Sequence, residues 1–306
     1  MKKLTTLFVI VLSFTQQACT QQADSREVNT KNGNTLTLAN NFGDYWYQGK
    51  AELTSYDLTQ VRYGEKREGQ AVLVYVTEDF SKSKQVKSDK PSANQADVEK
   101  VLKLNFTKKF NTGIYPYSIM SSIFSPVYPS DNLHALKLTT SVQEWCGHVF
   151  MQFNKDVDNY SVLTRSYFES EGDQNISIPL TWIEDEFWNL IRLDPQSIPQ
   201  GNVKIIPSSM YLRLKHQPTA AYKASVERDN QGDQTILTIK YPDLNRSLKI
   251  SYTTVFPHQI QSWEESYPEN GQIMTTSGQL DKRLMLDYWN RNSAADSTYR
   301  ETLGLK

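Results

Sequence analysis

The spacing of apolar and polar positions along the chain is dominated by a period of two. Leu136, Leu138, Thr140 and Val142 alternate with Lys137, Thr139 and Ser141, the pattern of a strand with one buried face. Just downstream the apolar positions are Trp145, Val149, Met151 and Phe153, so the buried face passes from even to odd numbers. An uninterrupted strand cannot do this, because a slip of one residue turns every buried side chain to water. The change of phase must be absorbed between Gln143 and Gly147, by a bulge at Gly147 or by a tight reversal between antiparallel strands.

Strand-like runs of the same kind cover residues 44–56, 71–76, 98–110, 112–124, 160–172, 219–228, 235–241, 248–253, 260–267 and 273–280. Turn residues separate them, among them Gly113, the 230–233 segment Asn-Gln-Gly-Asp and the 269–271 segment Glu-Asn-Gly. Residues 79–97 lose all periodicity and read as a solvated lysine-bearing loop. The one long helical pattern is at 182–193, where Trp182, Ile183, Phe187, Leu190 and Ile191 share a face. Thr181 and Glu184 have capping-box spacing, and Asp194-Pro195 stops the run. After Pro207 the β pattern resumes, and residues 293–303, ended by Gly304, predict a short C-terminal helix. More than ten strands, mostly in hairpins, predict a mainly β fold: a large curved antiparallel sheet or barrel-like half-shell with one packing helix and a short C-terminal helix.

The N-terminus changes the picture. Lys2 and Lys3, the short apolar run 4–14 and Ala18 before Cys19 have the layout of an export signal, and the run is too short to span a bilayer. A cysteine at that place predicts a bacterial lipoprotein signal, with Cys19 lipidated as the mature N-terminus; an ordinary cleaved signal is the alternative. The expected organisation is a signal peptide at 1–18, a flexible membrane tether at 19–41 and one large β-rich domain at 42–306, or two lobes dividing near 195–205. The lipid on Cys19 would be the membrane anchor, which places the protein at the outer membrane, on its periplasmic or cell-surface face.

With 33 basic and 34 acidic residues the charge is near balance and gives no reason to expect a nucleic-acid partner. Mean hydropathy is low at −0.57. The 17 Tyr, 12 Phe and 6 Trp nevertheless supply large apolar surfaces with polar handles. Without Cys19, Cys146 has no internal disulfide partner and must be buried, reactive or paired with another chain; a buried structural thiol is the expectation.

Glu144, Cys146 and His148 share parity, so a regular strand would project them from one face. A thiol beside an imidazole is the starting point for a nucleophile and base, and the three residues are also the densest metal-ligand candidates. No protease signature surrounds Cys146, and the other histidines have no ligand spacing. No catalytic residue, cofactor or metal is therefore assigned. Glu169, Glu171 and Asp173 have the alternation of a wet strand face or of oxygen ligands for calcium. Trp263-Glu264-Glu265 combines a stacking residue with carboxylates, as sugar sites do. There is no phosphate-binding glycine loop, Gly-x-Ser-x-Gly motif or dinucleotide fingerprint.

The blocks Tyr45-Trp46-Tyr47, Glu78-Asp79-Phe80, 113–120 (Gly-Ile-Tyr-Pro-Tyr-Ser-Ile-Met), 141–148 (Ser-Val-Gln-Glu-Trp-Cys-Gly-His) and 166–173 (Ser-Tyr-Phe-Glu-Ser-Glu-Gly-Asp) resemble a family of Bacteroidota, mainly flavobacterial, lipoproteins of about this length. The family often carries the label septum formation inhibitor Maf. Authentic Maf proteins are cytoplasmic nucleotide pyrophosphatases of α/β fold with a Ser-x-Ser-Pro-Arg-Arg motif. The nearest counterpart here is Ser125-Pro126 followed by Val127 and Tyr128, without the arginines, and no catalytic residue carries over. The expectation is thus a non-catalytic exported lipoprotein that binds an apolar or amphipathic ligand on an aromatic-lined sheet. A structural lipoprotein that docks an envelope protein is the second reading. An enzyme, either a Cys/His hydrolase or the nucleotide pyrophosphatase of the label, is the third.

Overall fold

The computed structural model describes residues 26–29 and 35–305. The expected signal peptide at 1–18 and the expected lipidation site Cys19 lie outside the described residues. Two short strands, β1 (Arg26–Asn29) and β2 (Thr35–Leu38), pair antiparallel ahead of a five-residue helix, α1 (Phe42–Trp46). Then come β3 (Ala51–Arg62), β4 (Glu65–Ser81), β5 (Val86–Lys87), β6 (Val98–Thr112), β7 (Tyr115–Pro126), β8 (Lys137–Glu144), β9 (Gly147–Lys155), β10 (Asn159–Arg165) and β11 (Gln174–Pro179). The two-residue β12 (Trp182–Ile183) leads directly into α2 (Glu184–Leu193). It is followed by β13 (Gly201–Ile206), α3 (Ser209–Leu214), β14 (Tyr222–Gln231), β15 (Gln234–Tyr241), β16 (Arg246–Thr253), β17 (Ile260–Glu269), β18 (Gln272–Leu286) and α4 (Thr298–Thr302).

The strands from β3 onward form a single sheet in the order β11-β10-β9-β8-β7-β6-β4-β3-β18-β17-β16-β15-β14-β13-β12, with β5 beside β4. All neighbours are antiparallel except β12 and β13. The chain starts in the middle of the sheet, meanders to one edge at β11, crosses to the other edge at β12 and meanders back until β18 lies beside β3. Pro179 and Trp182 are therefore on opposite edges yet only three residues apart, a span of at most about 11 Å. The sheet has to curl until its edges almost meet, which makes a barrel-like shell with a seam at β11 and β12. The curved antiparallel sheet expected from the sequence is the fold.

The lumen is filled by the protein itself. Every residue of α2 is buried, including Glu184, Glu186 and Arg192. Asn189 Nδ2 donates to Leu102 O (3.0 Å), Ile123 O (3.3 Å) and Ser125 Oγ (3.0 Å) on β6 and β7, which fixes the helix against the inner wall. Phe106, Trp188 and Trp263 pack with ring centroids 5.0 to 5.5 Å apart, and Tyr56 lies 4.8 Å from Trp263. Opposite Trp263 stands Gly278, where a Cβ would lie 2.2 Å from the indole. The missing side chain makes room for the ring.

The buried arginines Arg192 and Arg246 are paired with carboxylates, as the desolvation cost of an isolated ion requires. Arg192 holds Glu52 through two bonds of 2.5 and 2.8 Å and lies over the rings of Trp46 and Tyr75. Arg246 bridges Glu184 and Glu265. Asp185 accepts from Ser209 N at 2.8 Å, tying the start of α3 to the first turn of α2.

Several expectations are corrected. Order begins before Phe42: Leu36 and Leu38 of β2 belong to the core, so the tether cannot extend to residue 41. Residues 42–46 are helical rather than strand-like. The long helix starts at Glu184, two residues later than predicted. Its N-terminal cap is the Glu186 carboxylate on Ile183 N (3.0 Å), because Thr181 is engaged by Lys204 O instead. Pro207 is followed by α3, not by a strand. The run at 160–172 ends at Arg165, and β11 was not foreseen. Residues 79–81 continue β4 as part of the sheet. The C-terminal helix is limited to 298–302, after a 3-10 turn at 294–297, with Gly304 as its stop at φ 65°.

An aromatic mouth as the candidate functional site

Register brings one set of hairpin tips to a single end of the barrel. Gly69 pairs with Phe110, Ser118 with Gln143, Phe150 with Arg165 and Ser277 with Thr59. The turns at Tyr63-Gly64, Gly113-Ile114, Trp145-Cys146 and Asn270-Gly271 and the loop 166–173 therefore crowd together. The β3–β4 turn has two positive φ values (57° and 76°), the primed geometry that suits the strand twist. Gly64 is required on a second count, since a Cβ there would lie 2.2 Å from Asn270 Nδ2.

The tips carry exposed apolar side chains: Ile114 (82% exposed), Trp145 (68%), Tyr167 (64%) and Tyr63 (48%). They rest on a rigid base. Phe110 and Tyr117 stack at 4.9 Å with 6° between planes, and Tyr115 bridges Tyr117 to Trp145 at 5.9 and 6.4 Å. Tyr63 and Tyr117 share a hydroxyl hydrogen bond of 2.7 Å, with the Arg62 guanidinium over both rings. Tyr167 lies flat against Gly147, where a Cβ would come 2.4 Å from its ring. The glycine thus serves as a seat for an aromatic ring.

Two carboxylates at this end, Glu171 and Glu269, are paired with basic side chains. Glu171 accepts from His216 Nδ1 at 2.7 Å and from Arg213 at 2.9 Å. Burial alone would raise its pKa; Ser166, His216 and Arg213 together hold it below the usual carboxylate range. Glu269 pairs with Lys215 and accepts from Gly64 N. Arg62 also donates to Leu214 O, which attaches the rim to the last turn of α3.

The residues singled out in the sequence are found at this end, in a different arrangement. The phase change at 143–147 is the reversal, not a bulge: Glu144 pairs with Gly147 and Gln143 with His148 across a two-residue turn of Trp145 and Cys146. Glu144, Cys146 and His148 therefore do not line one strand face. Cys146 is exposed, against the expectation of a buried thiol. Its backbone N donates to Glu144 Oε2 (2.7 Å), and that carboxylate pushes the thiol pKa up, the reverse of nucleophile activation.

No group of three or more His, Cys, Asp or Glu is placed to hold a metal ion among the described residues. Glu171 is taken up by Arg213 and His216, and Asp173 lies 3.6 Å from Arg165, so the calcium reading of 169–173 falls. Trp263 and Glu265 face the core while Glu264 is exposed, which separates that stacking and carboxylate set. Ser125 of the Maf-like Ser-Pro pair is buried against Asn189.

Tyr63, Ile114 and Tyr167 were not foreseen as site residues. The available signal is that three of the blocks quoted for the family resemblance, 113–120, 141–148 and 166–173, meet at this mouth. No helix among the described residues is long and apolar enough to cross a membrane.

Neither a protein-family model nor a curated protein matches the chain. Among solved structures it is similar to a beta-barrel-like protein of a domain of unknown function from Brucella abortus, at 10% identity and a TM-score of 0.47, covering 77% of this chain and 98% of that one. A porin-like protein from Bacteroides uniformis matches at 10% identity and a TM-score of 0.19, covering 76% of this chain and 95% of the other. Neither likeness bears on ligand, partner or chemistry.

Proposed function

We propose that the protein is a non-catalytic docking module of the cell envelope, tethered through lipid on Cys19, that engages a protein partner through the aromatic mouth. The observation that carries this reading is the contrast between a filled lumen and exposed tips. The space enclosed by Phe106, Lys108, Asp185 and Trp263 is about 20 Å³, room for about one water and not for a lipid or other small apolar cargo. A small molecule needs a concave pocket that covers most of its surface, whereas projecting hairpin tips are covered only by a second macromolecular surface. Tyr, Trp and Arg are the side chains that dominate protein interfaces, and the pairing of Glu171 and Glu269 reduces the charge left to desolvate. The described chain begins near the far end, where Thr37 N meets Asp194 beyond α2. An N-terminal anchor therefore points the mouth away from its membrane.

The test is site-specific photo-crosslinking of the full chain in its own envelope, with the crosslinker at Trp145 or Tyr167 and, as a control, at Val157 or Val255 at the other end. One discrete adduct with a different protein from the mouth only, lost when Ile114→Ser and Tyr63→Ser are added, is the expected result. Absence of an adduct, adducts with its own copies alone, or equal yields from both ends would overturn the proposal. So would a co-purifying amphiphile seen by native mass spectrometry and lost in Trp145→Ser, which would restore the ligand-binding reading.

A further inference from the structure

We infer that a second, polar site lies on the outer face of β3, β4, β6 and β7, and that it takes a neutral saccharide chain. The open groove there has a volume of about 1010 Å³. Pockets of several hundred Å³ already accept small-molecule ligands, so this one has room for a short oligosaccharide.

Its floor is a cross-strand row. Asp57 pairs with Gln70, Gln70 with Lys109 and Lys109 with Ser118, so a carboxylate, an amide, an ammonium and a hydroxyl stand side by side on one face. Adjacent strands are roughly 4.8 Å apart, close to the length of one sugar ring. A second row, with Thr59 opposite Glu68, adds another hydroxyl and another carboxylate.

Two features show how a normally convex outer face becomes concave. Gly69 lies between the rows, and a Cβ on it would fall 2.3 Å from Lys109 O and 2.8 Å from Phe110 Cβ. Only glycine allows β4 and β6 to approach so closely, and the missing side chain leaves the floor open between the rows. On the far side β18 is bulged: Leu280 pairs with Tyr56 and Lys282 with Ser55, which leaves Asp281 unpaired in the ladder and aimed at the groove. Bulges re-aim side chains in this manner. The turn after α4 closes the end, with Gln70 Nε2 donating to Gly304 O at 2.7 Å, and a Cβ on Gly304 would lie 2.4 Å from the Asp281 carboxylate.

The chemistry selects the ligand class. Asp281 is paired with Lys282 at 3.3 Å, and Asp57 and Glu68 stand against Lys109, so no excess of positive charge favours phosphates or other anions, and the polar floor disfavours acyl chains. Vicinal hydroxyls, which both donate and accept, match carboxylate, amide and ammonium groups set side by side, and the exposed Pro116 provides an apolar edge for a ring face. The polar side chains of the groove are separate from the exposed tips of the mouth, although Phe110 and Tyr117 lie beneath both.

The test is titration calorimetry of the full chain in detergent with maltohexaose, cellohexaose, xylohexaose and mannohexaose. Binding of at least one, weakened tenfold or more by Asp57→Ala and by Lys109→Ala but unchanged by Trp145→Ser, is the expected result. Both groove residues are exposed, and unchanged melting temperatures would show that the variants fold. The proposal is overturned if none of the four binds, if binding survives both groove substitutions, or if a lysine-rich peptide binds there and the sugars do not.

Discussion

Asp185→Asn tests how the lumen tolerates charge. Asp185 is on the first turn of α2, buried, and its pKa is pushed up to about 7 from 3.8, first by burial and then by neighbouring Glu184; bonds from Ser209 N and the Ser208 and Ser209 hydroxyls oppose the rise. The other charged groups around it are Lys108 on β6, Arg246 on β16 and Glu265 on β17. A carboxyl whose folded pKa lies above its unfolded value favours the fold when protonated. Its contribution is complete below about pH 4 and is lost as pH rises through 7. A shift of about 3 units corresponds to roughly 4 kcal/mol across that window. Asparagine keeps an acceptor for Ser209 N and cannot ionise. Urea unfolding followed by tryptophan fluorescence should therefore give nearly equal stabilities for the two proteins at pH 4, and a variant more stable by up to about 4 kcal/mol at pH 8. A difference that does not change with pH, or a variant less stable at pH 8, would show that the Asp185 anion is stabilised by Lys108 and Arg246, and would refute the reasoning.

Glu52→Gln leaves Arg192 buried without a counter-ion and should lower stability by about 3–5 kcal/mol, read from the urea midpoint; a loss below about 1 kcal/mol would mean that the Trp46 and Tyr75 rings suffice for the guanidinium. Gly278→Ala forces a methyl group into the Trp263 indole and should destabilise by about 1–3 kcal/mol, more than the gain of about 0.4–1 kcal/mol from a less flexible unfolded chain, so a raised Tm would contradict the packing described. Glu144→Gln removes the carboxylate that disfavours the thiolate and should speed alkylation of Cys146 at pH 8, whereas an unchanged rate would separate the thiol from Glu144.

The β architecture was legible because an antiparallel hairpin repeats its signature in every strand: alternation, then a turn, then alternation in the opposite direction. The phase change at 143–147 even located a reversal, although parity could not decide between a bulge and a turn. The short helices were hidden for the converse reason. Residues 42–46 and 209–214 make fewer than two helical turns, too few for a 3.6-residue period to emerge, and aromatic residues such as Tyr45, Trp46 and Tyr211 favour strands in isolation. The Thr-Leu-Thr-Leu run of β2 is four residues in a polar surround, and its burial depends on long-range packing against the core. The mouth was legible only at the 143–147 reversal, and its assembly was not. Tyr63, Ile114, Trp145 and Tyr167 are separated by tens of residues, and only the register of the sheet brings them together.

The two inner helices explain why those tips act as one surface. Isolated hairpin tips fluctuate independently, and a partner that binds them has to order each one. Here the last turn of α3 and the residues that follow it are tied to three separate connections: Arg62 of β3 donates to Leu214 O, Lys215 pairs with Glu269 beside the β17–β18 turn, and Arg213 and His216 hold Glu171 in the loop after β10. At its other end α3 is held by Asp185, and Ser209 bonds Thr140 at 2.5 Å on the inner wall. The plug that excludes a cargo from the lumen is thus also the frame that fixes the geometry of the mouth. Loosening it at Ser209 should soften the distant rim at Tyr63 and Tyr167 while leaving the Glu52–Arg192 end intact, a pattern that hydrogen exchange on a Ser209→Ala variant would resolve tip by tip.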